Sequence, residues 1–346
     1  MAPHKPKKRK LENDIDASQA DPDTSKPSAV FRPEGGRSHT LSIALPGSII
    51  ANAVTPDQKT SLAGQIARAC AVFCVDEIVV FDDGQAGTRP PERDGYTAFA
   101  DPNFFLYHVL TYLETPPNLR KALFPMHPDL RTAGALPSLD MPHHLRSDEW
   151  CDFREGVAIT SARSGGTLVD CGLAHKVSIP VELEPNTRVT VQLESDAARD
   201  GLFMGVAVSP EMPRESAGYY WGYSVRQAAS LGSVFTECPY DGGYDVSIGT
   251  SERGKPLGAL TQNDSPDHVE PTWNHLLVVF GGVAGLEAAL KADEELQAAG
   301  VTKAADLFDS WINLVPGQGS RTIRTEEAVW VGLTGLRGLV ETRNHA

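Results

Sequence analysis

The sequence predicts an α/β fold with a parallel sheet and a small all-β barrel inserted into it. Strand and helix patterns alternate from about His39, which is typical of a parallel sheet. Five short alternating runs then follow between residues 154 and about 208, with no helix of useful length among them. The alternation of strands and helices resumes afterwards, so the barrel is expected within the α/β domain and not at its end. A chain of 346 residues is long enough for two domains with separate cores.

Composition narrows the classes of protein that the chain can represent. Its net charge of −14 argues against nonspecific coating of nucleic acid, although a local basic groove is compatible with it. The longest apolar run, residues 276–286, is too short to cross a bilayer, so no membrane partner is expected. The 5 cysteines include no CxxC pair, which favours a reducing compartment and predicts neither a zinc site nor a disulfide framework.

Residues 1–37 are predicted to be a disordered basic leader. The segment PKKRK at residues 6–10 is a compact cationic block in a stretch with almost no apolar content. Such a block usually stays solvated, and it also has the form of a nuclear import signal. The leader therefore predicts a location in the nucleus, and specifically in the nucleolus. A solvated tail without a targeting role is the alternative.

Residues 38–153 are predicted to form the first part of the α/β domain. The stretch HTLSIALPG alternates as a strand does, and EIVVFDD is a short buried strand. Between them, Thr55 is the predicted N-cap of a helix with Pro56 at its first position. The stretch FFLYHVLTYLE, residues 104–114, is a further helix that two prolines terminate.

Residues 154–210 are predicted to form the inserted barrel, which the size of the segment suggests is OB-like. Its runs are short and are separated by Gly, Pro and Asn: REGVAIT, GTLVDCGL, KVSIPVEL, TRVTVQLE and MGVAVSP. Cationic side chains in this segment fit a surface that follows an RNA backbone, and they fit a solvated polar face equally well. They are Arg163, His175, Lys176, Arg188 and Arg199.

Residues 211–346 are predicted to complete the α/β domain. The stretch YYWGYSVR leads into a short helix, and GYDVSIGTSERG, LLVVFGG and SWINLV are strands. The stretch GLEAALKADEELQAAG is predicted as one helix. The last helix is expected to have Thr325 as its N-cap, Glu326 and Glu327 in its first turn, and one apolar face from Val329 to Val340.

Three strand ends in this last part indicate a ligand site. They are IGTSERG at 248–254, VVFGG at 278–282 and NLVPGQGSRTIRTEEA at 313–328. Ligands bind at the carboxyl ends of parallel strands, and glycine lets them approach backbone N–H and C=O groups. One such loop is weak support, but three exceed what turns require. No GxxxxGK[ST] occurs and no GxGxxG opens a helix, so neither a triphosphate site nor a dinucleotide site is expected.

Several stretches resemble the SPOUT, or α/β-knot, superfamily of RNA methyltransferases, in particular its eukaryotic and archaeal branch with an inserted OB-like barrel. The matching stretches spread over roughly residues 39–342: LSIALPGSIIANA, GQIARACAVFCVDEIVVFDD, LFPMHPDLR, YYWGYSVR, GYDVSIGTSERG, LLVVFGG and PGQGSRTIRTEEA. The resemblance implies a C-terminal trefoil knot, a homodimer and a site for S-adenosyl-L-methionine built from the three loops. The residues expected to bind this cofactor are Gly249, Thr250, Ser251, Gly281, Gly282, Asn313, Leu314, Pro316, Gly317, Gln318, Gly319, Ser320, Thr325, Glu326 and Ala328.

Two arginines are predicted to take part in the chemistry. Methyl transfer is an in-line displacement, for which the protein mainly positions donor and acceptor. If the acceptor is uridine N3, its proton leaves and negative charge spreads to the carbonyl oxygens, which an arginine stabilises. Arg324 and Arg226 are the predicted catalytic residues. The alternatives are a salt bridge from Arg324 to Glu326 or Glu327, and a surface position for Arg226 at the start of a helix.

Aromatic and histidine residues have structural explanations beside functional ones. The aromatic run Tyr219, Tyr220, Trp221 and Tyr223 fits stacking of RNA bases, and alternation in a strand would place Trp221 and Tyr223 on one face and Tyr220 on the other, but core packing of at least one face is favoured. His127 and the pair His143–His144 lack carboxylate or cysteine partners at ligand spacing, so packing or phosphate contact is expected and a metal is not.

The predicted function is an S-adenosyl-L-methionine-dependent RNA methyltransferase, with ribosomal RNA as the substrate that the resemblance favours and uridine N3 as a possible acceptor. The alternative is a catalytically silent RNA-binding or ribosome-assembly scaffold that keeps the knot and the barrel. The intact sequence GQGSRTIRTEEA favours the enzyme, because a scaffold has no need of a cofactor loop.

Overall fold

The computed structural model describes most of the chain from residue 33 to residue 344. The described residues are 33, 35–86, 90, 92–162, 165–262 and 264–344. The cationic block at 6–10 and nearly all of the predicted leader lie outside the described residues, and so does Arg163.

The described residues contain strands and helices in the order that the sequence predicts. The strands are β1 (Thr40–Pro46), β2 (Glu77–Phe81), β3 (Phe153–Ser161), β4 (Thr167–Asp170), β5 (Lys176–Ile179), β6 (Arg188–Leu193), β7 (Leu202–Val208), β8 (Ser224–Ala228), β9 (Val246–Pro256), β10 (His275–Val279) and β11 (Ser310–Asn313). The helices are α1 (Pro56–Val72), α2 (Pro102–Glu114), α3 (Arg120–Leu123), α4 (Met212–Ala217), α5 (Leu231–Thr236), α6 (Leu286–Ala292), α7 (Glu294–Ala298) and α8 (Thr325–Asn344).

Six strands form one parallel sheet in the order β11-β9-β10-β1-β2-β8. The central strands β1 and β10 are almost wholly buried, as expected for a parallel sheet covered on both faces. The predicted start of α1 is confirmed: the Thr55 side chain accepts from Gln58 N–H, and the Gln58 side chain accepts in return from the Thr55 N–H. Because all six strands run the same way, their carboxyl ends meet at a single edge.

The predicted barrel is confirmed as a closed five-stranded one, in the order β3-β4-β5-β7-β6, with β5 and β7 as its parallel pair. Its interior holds a small apolar cluster around Val169, Val177, Val191 and Phe203. Gly205 lies where an added Cβ would stand 2.7 Å from a Val191 methyl, so the small barrel has no room for a side chain there. Its designation as OB-like and the domain boundaries stay predictions.

A buried polar network joins the barrel to the α/β domain. Arg188 of β6 forms ion pairs with Glu114, at the end of α2, and with Glu155 of β3. His143 Nε2 lies 2.8 Å from Glu114 Oε1, and Trp221 Nε1 donates to Glu155 Oε1 at 2.8 Å. Burial by itself would raise the pKa of Glu114, but the charges of Arg188 and His143 outweigh it and hold that pKa below its ordinary value. We call these five residues the junction network. Removing one partner from a buried network of this kind costs about 3–5 kcal/mol of folding free energy.

The helix predicted from GLEAALKADEELQAAG is wrong as a single element. The chain forms α6 and α7, and Asp293 separates them. The Asp293 carboxylate accepts from Leu296 N–H at 2.9 Å, which caps α7, and from Gly232 N–H at 2.7 Å, in the first turn of α5. One buried carboxylate thus satisfies the free N–H groups of two helices, and this use competes with a helical conformation at Asp293.

The predicted alternation of the aromatic run is also wrong. Residues 219–223 precede β8 and do not belong to it. Tyr220, Trp221 and Tyr223 are all buried, and the Tyr220 hydroxyl donates to Val75 O at 2.9 Å. Core packing is therefore confirmed for these three rings, and Tyr219, the remaining ring of the run, is partly buried beside Trp221.

Helix α8 closes the fold against α1. It buries Val329, Leu333, Leu336 and Leu339, while Val340 is only partly buried, so the predicted apolar face is confirmed with a small shift at its end. The trefoil knot stays a prediction. Among the described residues, no helix is both long enough and apolar enough to span a membrane.

Candidate functional site

The candidate site lies at the carboxyl ends of β9, β10 and β11, which are neighbours in the sheet. The turn after β10 and the start of α8 are tied together there, because the Thr325 hydroxyl donates to Gly281 O at 2.9 Å. This bond joins two of the three predicted loops, and contacts of the segment 248–254 with Val279 and Asn313 join the third. The predicted role of Thr325 as an N-cap is wrong: Thr325 is the first residue of α8, and its hydroxyl is used across the site.

The two glycines after β10 are in close contact with their surroundings. A Cβ at Gly281 would lie 3.1 Å from backbone atoms of Gly285 and Leu286. A Cβ at Gly282 would lie 3.2 Å from Asp83 Oδ2 and 3.4 Å from Ser48 Oγ. The turn itself therefore requires small residues, and its backbone lies directly beside polar atoms from the ends of β1 and β2.

The segment IGTSERG is not the free loop that the sequence predicts. Gly249 pairs with Trp311 and Lys255 pairs with Ile312, so residues 250–254 bulge out of β9 between the two pairs. An added Cβ at Gly249 would lie 2.5 Å from the Trp311 ring, so packing explains this glycine. The Thr250 hydroxyl donates to Val279 O at 3.0 Å, and Ser251 follows it into the bulge.

The loop after β11 leaves its backbone open. Asn313 anchors it at one end, since its side chain accepts from Val315 N–H at 3.0 Å and donates to Glu252 O at 2.8 Å. Gly317 has φ +74°, which favours glycine, and a Cβ at Gly319 would meet nothing within 4 Å. Pro316, Gly317, Gly319 and Ser320 are exposed, Gln318 is half-buried with its amide on Ser320 O, and Leu314 packs toward the core.

The first turn of α8 contains a buried carboxylate that lacks a full set of partners. Glu326 is 4% exposed, and its Oε2 has no hydrogen-bond partner in the described part of the chain. Its other oxygen lies 3.9 Å from the Arg324 guanidinium, at the outer limit of an ion pair. A buried, unpaired carboxylate oxygen is costly, so a donor from outside the chain is expected at this point. Ala328 lies buried one residue beyond Glu327.

Arg324 is largely free of the fold. Its backbone N–H donates to Glu327 Oε2 at 2.9 Å, while its side chain is 71% exposed. An exposed contact of 3.9 Å with Glu326 contributes little to stability. The guanidinium is therefore available to a ligand or an RNA substrate.

Arg226 occupies a different environment from the predicted one. It does not open a helix but lies inside β8, with its side chain 20% exposed. The guanidinium donates to Glu77 Oε1 at 2.8 Å and to Val234 O at 2.6 Å. Strands β8 and β11 are opposite edges of the sheet, so Arg226 lies roughly 19 Å from β9 across four strand spacings. The two predicted catalytic arginines do not meet within one subunit.

Sequence reasoning missed Ser48 and Asp83 at the same edge. The Ser48 hydroxyl donates to Asp83 Oδ2 at 2.7 Å, and Gln85 N–H donates to Asp83 Oδ1 at 3.1 Å. Asp83 is 2% exposed, and burial raises its pKa above the ordinary value. The signal was present in FDDG, where carboxylates directly follow a buried strand at the ligand-binding edge.

The structure gives partners to the three histidines that the sequence singled out. His143 belongs to the junction network, and His144 lies beside it, because the Nε2 atoms of both rings contact Glu114 O. His127 does have a carboxylate neighbour, because Asp129 Oδ2 lies 3.3 Å from its Nδ1. The premise that it lacked such a partner is wrong.

Comparison with known proteins identifies the family. A family model described as "Putative RNA methyltransferase" matches residues 40–336, which include the parallel sheet, the barrel and most of α8. The chain belongs to this family. The RNA methyltransferase family expected from the sequence is thereby confirmed, and its placement in the SPOUT superfamily stays a prediction.

Relatives of this RNA methyltransferase carry specific names. A human protein named 28S rRNA (uridine-N(3))-methyltransferase is 49% identical over 319 residues, which are 90% of this chain and 82% of the human protein. A mouse protein of the same name is 47% identical, over 88% of this chain and 78% of its own length. A Drosophila melanogaster protein of the same name is 42% identical, over 86% and 62%. The solved structure of the SpoU methyltransferase AviRb from Streptomyces viridochromogenes aligns with 10% identity and a TM-score of 0.32, over 89% of this chain and 61% of that one, a likeness too distant to bear on function.

Proposed function

We propose that the chain transfers a methyl group from S-adenosyl-L-methionine to N3 of a uridine in ribosomal RNA. Family membership supports RNA methylation, and three relatives at 42% to 49% identity carry the name of that reaction on 28S rRNA. The structural observation that carries the proposal is the buried, unpaired Glu326 Oε2 in the first turn of α8, the helix that directly follows the open glycine loop.

The residues at this edge fit the cofactor. The ribose hydroxyls and the ammonium group of S-adenosyl-L-methionine are donors of the kind that Glu326 Oε2 lacks. Exposed backbone groups at Gly317 and Gly319 can pair with an adenine edge, and no side chain blocks them. When bound, the cofactor supplies a methyl group activated by its positively charged sulfur.

The chain's own residues account for the proton and for the charge. Uridine N3 loses a proton during the reaction, and we assign it to the Ser48–Asp83 pair. Ser48 is only half-buried, so its oxygen can take the N3 proton while its own proton passes to Asp83 across the 2.7 Å hydrogen bond. The raised pKa makes Asp83 a better base near neutral pH. Arg324 then donates to the uracil carbonyl oxygens, where the negative charge develops.

Two experiments test the function. Calorimetric titration with S-adenosylhomocysteine measures cofactor binding, and the Glu326→Gln variant should bind more weakly than wild type because it loses the acceptor charge. Mapping of N3-methylated uridines in ribosomal RNA from cells that lack the protein identifies the target. RNA binding without cofactor binding, together with an unchanged methylation map, would replace the enzyme by the scaffold.

If the Ser48–Asp83 pair accepts the proton, the pH profile of the methyl-transfer rate should have an acidic limb, that is, a fall in rate at low pH. The carboxylate must be ionised to accept the proton, so the single-turnover rate falls as pH drops through the raised pKa of Asp83. Asp83→Asn should remove this limb and lower the rate, with cofactor affinity kept. A variant that retains both the limb and the rate would exclude Asp83 as the acceptor.

We further propose a homodimer formed through the knotted region and a nuclear location. The dimer rests on the resemblance, and a monomeric mass by light scattering of an active preparation would contradict it. The location rests on the cationic block at 6–10. Replacing Lys7, Lys8, Arg9 and Lys10 by alanine should spread the protein into the cytoplasm with activity in vitro unchanged.

A further inference from the structure

A second cluster of ligating side chains lies away from the candidate site. His108, on α2, and His127 both direct Nδ1 at Asp129, which lies in the short turn Pro128–Leu130. The ligating atoms of these three residues all lie within 4.8 Å of one another. We propose that this cluster binds one Zn²⁺ ion, with the two imidazoles and the carboxylate as ligands and water in the fourth position.

The distances match those of a tetrahedral site. Zinc binds histidine nitrogen and carboxylate oxygen at about 2.0–2.2 Å, so neighbouring ligand atoms in a tetrahedron stand roughly 3.3–3.5 Å apart. His108 Nδ1 and His127 Nδ1 lie 3.2 Å and 3.3 Å from Asp129 Oδ2. The two imidazole nitrogens lie within 4.8 Å of each other, and a tilt of the rings closes any excess over the tetrahedral spacing.

The surroundings hold the ligands as metal sites do. The Asp129 side chain is fully buried, and Thr97 fixes it by donating its N–H to Oδ1 and its hydroxyl to Oδ2, both at 2.8 Å. Hydrogen bonds of this kind orient a ligating carboxylate. Phe104 and Phe124 flank the His108 ring at 5.4 Å and 6.1 Å between centroids, which limits its rotation. The His127 side chain is 29% exposed, which leaves a path for the ion and its water.

Hydrogen bonding alone leaves His127 in conflict. Its Nδ1 accepts from Asp129 N–H at 3.3 Å and also faces Asp129 Oδ2 at 3.3 Å. A nitrogen with a lone pair cannot donate to the carboxylate, and a protonated nitrogen cannot accept from the N–H. A cation between the nitrogen and the oxygen takes up both lone pairs, and the 3.3 Å hydrogen bond from Asp129 N–H to Nδ1 is then given up. Imidazole and carboxylate together suit zinc among the available divalent metals.

The bound ion would fasten an irregular segment to a helix. Residues 93–101 and 124–136 contain no strand or α-helix, only turns, irregular stretches and the short 3-10 helices Pro128–Leu130 and Ala133–Ala135, and the cluster joins Thr97, His127 and Asp129 to α2. Zinc binding should therefore raise the melting temperature of the protein as well as give a defined stoichiometry.

The test uses the full chain purified without a histidine tag and stripped with a chelator. Titration with ZnCl₂ should show one equivalent bound, and Co²⁺ as a substitute should give the intense visible absorption of a four-coordinate ion. His127→Ala and Asp129→Asn should each lose this absorption and the zinc-dependent rise in melting temperature. His175→Ala, a histidine of the barrel segment, is the matched control and should keep both.

Two results would overturn the site. One is absence of saturable Zn²⁺ or Co²⁺ binding by the folded wild-type chain. The other is wild-type stoichiometry and affinity in His127→Ala, which would place the ion elsewhere, for example at His143–His144. Asp129 is fully buried, so Asp129→Asn is expected to lose stability. The partly exposed His127 gives a variant that tests the ligand role without this loss.

Discussion

The loop after β11 and the strand β8 each contain one arginine predicted to act in catalysis, and the fold treats the two in opposite ways. Arg226 is held by the carboxylate of Glu77, by Val234 O and by the Tyr244 hydroxyl, with its side chain 20% exposed. Arg324 has one distant acidic neighbour and is 71% exposed. The fold pairs Nε and Nη2 of Arg226 and buries its Nη1 without a partner in the described residues, so this cation serves stability, whereas the exposed guanidinium of Arg324 is free for a substrate.

The largest expected effect is a loss of stability when the partly buried arginine, Arg226, is replaced. Arg226→Met leaves Glu77, whose side chain is 1% exposed, without its counter-charge. The free energy of unfolding should fall by about 3 kcal/mol, the lower end of the range for a broken buried pair. Denaturant unfolding measures it. Arg337→Ala, which removes an exposed pair with Glu341, is the control and should cost less than about 0.5 kcal/mol.

The methylation rate of the folded Arg226→Met protein should stay within a few-fold of wild type. If the rate instead fell about a hundredfold at unchanged stability, Arg226 would belong to the reaction, and the comparison would be wrong.

The next effect concerns the open side. Arg324→Ala should slow single-turnover methyl transfer about a hundredfold, the scale of one lost charge-stabilising donor, while cofactor affinity stays within a few-fold. Arg324→Lys should recover little, because a point charge does not reproduce the planar fork. A parallel collapse of cofactor affinity would make Arg324 a cofactor ligand, and no change in either quantity would make it structural.

A smaller effect tests whether the open loop is open for the cofactor. Gly319→Val adds a side chain that meets no protein atom within 4 Å of its Cβ, so stability should be unchanged. Cofactor affinity should drop about tenfold or more, because the branched side chain occupies the ligand's space. Gly134→Val, at an equally open glycine away from the loop, is the matched control for calorimetry. Equal affinity in both variants would remove Gly319 from the site.

The smallest effect separates the two arginines by salt. An exposed cation that contacts RNA phosphate or its neighbourhood contributes roughly 0.7 to the slope of log affinity against log salt for a single strand. Arg324→Ala should therefore flatten the slope by up to about that amount, and Arg226→Met should leave it unchanged. Filter-binding affinities at several KCl concentrations give both slopes.

The sequence predicted local structure best where the determinants are themselves local. Thr55, Pro56 and Gln58 lie within four residues and specify the start of α1 by themselves. The barrel strands announce themselves by alternation over four to nine residues each. These features need no knowledge of what packs against them.

The errors arose where a distant residue decides the outcome. Arg226 belongs to a strand because β8 pairs with β2, 147 positions earlier at Val79, and its charge partner Glu77 is equally remote. The Thr325 hydroxyl donates to Gly281 O and does not cap its own helix. Asp129 meets His108 only because the chain folds back onto α2. Spacing along the chain carries no record of such partners.

The junction network gives the enzyme a fixed span. Arg188, Glu155 and Trp221 hold the barrel to Glu114 through hydrogen bonds and ion pairs. We therefore expect the barrel to keep a fixed position relative to the α/β domain. Any RNA that touches both the barrel and the loop after β11 must itself supply the distance between them. Selectivity of this kind depends on the three-dimensional shape of the folded RNA. A uridine in a short extended strand cannot contact the barrel and the loop after β11 at the same time.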